Sequence, residues 1–136
     1  MIKYTPTNQL SIEEFLTPFN GSLSIDNKWV NISRIVPWDA FSLKYINRMS
    51  SDMGRPGTNP RIVLGALIIK HLTKSTDEQT IKAIQENVYM QYFVGLTEFT
   101  ITPVFDPSLF VTIRKRIGVE LFNQLTGELR LHMLRH

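Results

Sequence analysis

Between residues 60 and 74 the chain reads PRIVLGALIIKHLTK, and this stretch constrains the fold more than any other. Isoleucine, valine and leucine occupy positions 62, 63, 64, 67, 68, 69 and 72, so a helix here is apolar nearly all round, with Arg61, Lys70, His71 and the end residues polar. A helix without a polar face must be covered on every side, which makes it the centre of a packed unit. Pro60 suits a first helical position, and the preceding GRPGTNP is a loop by its glycines and prolines. A strand over the same run is the alternative, and the length of the run argues against it.

The neighbouring segments supply helices to cover it. After Pro37 the stretch WDAFSLKYINRM repeats Trp38, Phe41, Tyr45 and Met49 at helical spacing. Thr76 with Gln79 forms a capping box, and Asp77 and Glu78 lie where the helix dipole favours negative charge. One helix is expected from there to Gly95, followed by a loop through Phe105. Asp106 caps a further helix with Pro107 at its first position, and Gly118 ends or interrupts it before a last helix from about Val119. Near the start, Ser11 with Glu14 reads as another capping box, with Leu10 and Phe15 as its staple, predicting a short helix from Ser11. The stretch GSLSIDNKWVNISRIVP, residues 21–37, is turn-rich and expected to be irregular. The fold class is all-α: a compact bundle of about five or six helices with a helix-turn-helix-like pair. Residues 1–136 make one domain, a size that buries a core without staples.

Charge is uneven along the chain. The 15 Lys and Arg exceed the 12 Asp and Glu by three. Residues 54–74 carry Arg55, Arg61, Lys70 and Lys74 with no acid, and residues 106–136 carry five basic residues against three acids. The segment between them holds four acids against Lys82. Two basic segments therefore flank an acidic one, a distribution compatible with a polyanionic partner. There is no cysteine, which excludes disulfides and thiolate metal sites and fits a reducing, cytoplasmic setting. The longest apolar run, Ile62 to Ile69, is far short of the roughly 20 residues that cross a bilayer, so no membrane role is expected.

DPSLFVTIRKRIG, residues 106–118, is the stretch with chemistry to offer. At about 100 degrees per residue, Leu109, Phe110, Ile113 and Ile117 share one side of the helix. Ser108, Thr112, Lys115 and Arg116 gather on another, with Arg114 at the margin. An apolar back with cations and short hydroxyls in front is what a helix needs to enter a major groove. A solvated charged face that complements the helix dipole is the plainer reading of the same spacing. In the loop before the central helix, Gly54-Arg55-Pro56 is extended and would lay Arg55 into a narrow minor groove, against the plainer reading of a rigid interhelix loop.

No catalytic constellation is present. Asp77 and Glu78 point about 100 degrees apart and do not converge, so capping explains them better than acid–base work. His132 and His136 have a metal-ligand spacing with no third ligand near, so no metal is expected. There is no glycine-rich phosphate loop or nucleophile elbow, hence no cofactor and no small-molecule substrate.

Four stretches, NKWVNISRIVPWDAF, GRPGTNPRIVLGALIIKHL, TDEQTIKAIQENVYMQYFVGL and FDPSLFVTIRKRIG, resemble in order and spacing the N-terminal domain of bacterial insertion-sequence transposases of the DDE type. The resemblance implies an all-helical region that binds double-stranded DNA at the terminal inverted repeats of the element. It further implies a separate ribonuclease-H-like domain whose acids hold divalent metal. The chain ends at His136 without strands to carry such acids, so it is expected to be a non-enzymatic fragment without the catalytic half. The expected DNA contacts are Ser108, Thr112, Arg114, Lys115 and Arg116, with Arg55 and Arg61 secondary. The rival expectation is a dimerisation or interaction module with no direct DNA readout. A homodimer is compatible with either.

Overall fold

The computed structural model describes residues 11–17, 21–50 and 59–135, without the side chains of residues 49 and 50. Among them run six helices: α1 (Lys28–Ile35), α2 (Trp38–Ser50), α3 (Pro60–Thr73), α4 (Asp77–Glu86), α5 (Val88–Phe93) and α6 (Ser108–Arg135). The fold is all-α, and a single parallel bridge between Leu16 and Glu98 is the extended pairing among the described residues. No helix there is long and apolar enough to cross a membrane.

α3 is the central element. Asn59 caps it through its side chain, which accepts from the Arg61 amide, and Pro60 follows at the first position. Val63, Ala66 and Ile69 are wholly buried, and α2, α4 and α6 pack around the helix. Val63 and Ile69 each contribute on the order of 1.5–3 kcal/mol by leaving water. Gly65 permits the closest approach: a Cβ there would stand 2.8 Å from Val94 Cγ1 and 2.9 Å from Val94 Cα, inside contact distance. The chain leaving α5 is thereby seated directly on α3.

α2 follows the expected spacing, with Trp38, Phe41 and Tyr45 buried, while the Met49 side chain lies outside the described residues. Residues 21–37 are more regular than their composition predicts. Asn27 accepts from the Trp29 amide and starts α1, whose Trp29, Val30 and Ser33 are buried against α5 and α6. Trp29 and Trp38 both stand edge-on to Phe93, at 5.3 and 5.2 Å between ring centroids. This aromatic packing, distant in sequence, stabilises a helix too short to persist in isolation.

Two further expectations are corrected. The helix predicted from Ser11 is a turn: Glu14 does accept from the Ser11 amide at 2.9 Å, yet the chain then extends. Leu16 exchanges backbone hydrogen bonds with Thr97 and Phe99, and that pairing outweighs continuation of the turn. Phe15 is thereby delivered to a small cluster with Leu23, Val30 and Tyr92; Leu10 lies outside the described residues. The single helix expected from Thr76 to Gly95 is two. The Thr76–Gln79 capping box forms in both directions, but at Asn87 the backbone is extended (φ −123°, ψ 109°). The Asn87 side chain accepts from the amides of Tyr89 and Met90 and starts α5 anew.

Candidate nucleic-acid interface

Gly118 (φ 78°, ψ 163°) divides α6 into an arm over 108–117 and an arm over 119–135. The first begins as its sequence demands: Asp106 Oδ1 accepts from the Ser108 amide at 2.9 Å, and Pro107 follows the cap. That backbone hydrogen bond, first of all, holds the Asp106 carboxyl below its ordinary pKa. Phe110, Ile113 and Ile117 are wholly buried, and Phe110 meets Phe105 edge-on at 5.1 Å. The stripe read from spacing is therefore the buried side of the arm.

The opposite side presents Ser108, Thr112, Lys115 and Arg114 to solvent, and Arg116 is half-buried. Val111 is exposed among them, a position the charge pattern did not single out. Arg114 is committed to the protein. Its Nη1 and Nη2 donate to Asp77 Oδ1 and Oδ2 at 2.9 and 3.1 Å, a bidentate pair across α6 and α4. The Asp77 carboxyl is held below its ordinary pKa of 3.8, chiefly by the Arg114 hydrogen bond. Lys70 Nζ adds a second cation 3.5 Å from Oδ1 and donates to the Ser75 carbonyl at 2.7 Å. Arg116 lies near the buried Tyr45 hydroxyl; burial pushes that phenol up to about 12, and the Arg116 charge acts in the opposite direction.

The secondary contacts fare differently. Arg55 lies outside the described residues. Arg61 is 6% exposed, so the structure contradicts a surface role for it. Its guanidinium carbon sits 3.6 Å from the centroid of the Trp38 ring, and Nη2 donates to the Phe93 carbonyl at 3.0 Å. Arg61 ties the start of α3 to the end of α5, and its charge is stabilised by stacking and hydrogen bonding instead of by solvent.

Residues absent from the expected contacts join the first arm. The last turn of α3 brings Lys70, His71 and Lys74 beside Arg114, where they and Ser75 line a groove of about 360 Å³. Their signal was the acid-free basic segment over 54–74; what spacing could not show is that its C-terminal end meets the other basic segment in space.

The family described as "Transposase domain (DUF772)" matches residues 18–116 of the chain. A protein of Rhizobium meliloti described as "Uncharacterized protein ORF8 in nfe locus" is 29% identical over 96 residues, which are 71% of this chain and 46% of that protein. The chain thus spans less than half the length of that relative. No solved structure matches.

Proposed function

Because the chain belongs to the transposase-domain family (DUF772), we propose that it is the DNA-binding part of a transposase and engages the terminal inverted repeats of an insertion sequence. The observation that supports this reading is the two-sided first arm of α6: Phe110, Ile113 and Ile117 anchor it, while Ser108, Thr112 and Lys115 stand exposed on the other side. Short hydroxyls and a lysine reach base edges and phosphates, and the exposed Val111 adds an apolar surface of the kind that meets a thymine methyl. The stretch between α5 and α6 exceeds the 3–4 residues of a tight helix-turn-helix, so the pair acts as a looser variant in which α4 braces the reading arm through Asp77. Strand cleavage and joining belong, in this reading, to a catalytic region outside these residues.

The test is fluorescence anisotropy with a labelled duplex carrying the element's terminal repeat and with a scrambled duplex, at low and near-physiological salt. The repeat should bind more tightly than the scrambled duplex, and log affinity should fall with log salt at a slope of about −0.9 for each phosphate engaged. Lys115→Ala should weaken binding by roughly tenfold, a loss of about 1.4 kcal/mol, and Lys28→Ala should not. Equal affinity for both duplexes that disappears with salt would leave a basic surface without recognition.

A second reading is favoured by a different observation. Leu131 and Leu134, three apart on the second arm, are 54% and 77% exposed, apolar side chains suited to an interaction module. Under that reading the wild-type chain shows no duplex binding, and Leu134→Lys shifts its sedimentation to a smaller species.

A further inference from the structure

We propose that the groove between the last turn of α3 and the first arm of α6 is a seat for one backbone phosphate of duplex DNA. This rests on the DNA-binding reading and deepens it: the strand is gripped at the side of the reading arm as well as along it. Three cations, Lys70, Lys74 and Arg114, border the groove from two different helices, and Leu67 and Phe122 form its apolar floor. One carboxylate, Asp77, faces them, so the formal balance of these four groups is three positive against one negative, a net of +2.

The placement of Asp77 favours a built site over a chance gathering. It fixes Arg114 through two hydrogen bonds and stands 3.5 Å from Lys70, so two long side chains are already ordered before any ligand arrives. Preordered cations bind an anion without paying that entropy again.

Lys74 is the second independent sign. It caps α3 in the left-handed region (φ 55°, ψ 40°), where glycine is the low-cost residue, and it has no ion pair among the described residues. The fold thus carries an exposed, uncompensated ammonium at a position whose left-handed backbone disfavours a lysine. A phosphate oxygen accepts from that ammonium directly, and the apolar floor suits the sugar beside it. Arg114 and Lys115 are consecutive in the arm, so a strand leaving the groove passes to the face carrying Lys115 and Thr112.

The deciding variant is Lys74→Gly, measured by the same duplex anisotropy across a salt series, with thermal melting in parallel. Glycine removes the cation and relieves the left-handed backbone, so melting should hold or rise. Duplex affinity should fall several-fold, and the salt slope should shrink by about 0.9. Lys74→Arg, which keeps charge and backbone cost, should retain both. If Lys115→Ala weakens binding while Lys74→Gly leaves affinity and slope unchanged, the seat is overturned and the reading arm stands. If the wild-type chain binds no duplex at low salt, both are overturned.

Discussion

One amide group holds the loop that leads into the first arm of α6. Gln91 is 1% exposed; its Nε2 donates to the carbonyls of Ile84 and Thr100, at 2.9 and 2.8 Å, and its Oε1 accepts from the Thr100 amide at 2.8 Å. The loop has no helix or strand of its own to satisfy the Thr100 amide and carbonyl, so the side chain stands in for a ladder. Gln91→Leu keeps much of the volume and removes both donor and acceptor. The part-buried Thr100 amide and carbonyl lose their partner and the Leu side chain offers none, at a cost of about 1 kcal/mol, so urea unfolding should move to a lower midpoint with an unchanged slope. A midpoint within error of wild type would mean that the loop is not held by this residue.

At the scale of elements, the kink in α6 is the feature on which the position of its first arm depends. Gly118 has a positive φ with extended ψ, a combination essentially confined to glycine, while its surroundings leave room for a methyl, the nearest atom to a Cβ being Arg48 Nη1 at 3.5 Å. The obstacle is therefore backbone strain and not packing. Gly118→Ala should cost about 1–3 kcal/mol in thermal or urea unfolding; an alanine variant as stable as wild type would mean that the two arms readily join into one straight helix. This kink was legible in the sequence, where Gly118 separates the run capped by Asp106 from the last apolar stretch. So were α3, from its continuous apolar surface, and the start of α4, from Thr76 and Gln79. α1 was not legible: its glycine- and serine-rich approach hides a helix that Trp29 and Phe93 stabilise from a distance, and Asn27 was the one local signal. The break at Asn87 was missed for a related reason, since an asparagine within a long helical pattern reads as tolerated until its side chain is seen capping α5. Arg61 marks the limit at the candidate site. Beside Pro60 at a helix start it reads as a surface cation, and nothing in the linear order places Trp38 beneath it.

Across the whole molecule, the acidic segment is joined to both basic ones through Asp77. That carboxylate ties α4 to Arg114 of α6 and to Lys70 of α3, so its ionisation contributes to how three helices meet. Its pKa in the folded chain lies below the ordinary 3.8, with the Arg114 hydrogen bond the largest cause. The sign follows from that direction. The unfolded chain takes up this proton first as pH falls, so the stabilisation is fully present well above pH 3.8 and is lost as pH drops through that value toward the lower folded one. The other carboxylates titrate in the same range, and with 15 Lys and Arg against 12 acids their protonation also charges the whole chain. The two effects separate experimentally, because general repulsion is screened by salt whereas the bidentate pair is local. In urea unfolding between pH 6 and pH 3 at moderate salt, wild type should lose stability more steeply below about pH 4 than Asp77→Asn, which starts lower and stays flatter. Parallel profiles would show that the pair orients Arg114 without stabilising the junction. A steeper loss in the wild type would make the carboxylate that orders the proposed phosphate seat also a clamp between the two basic segments.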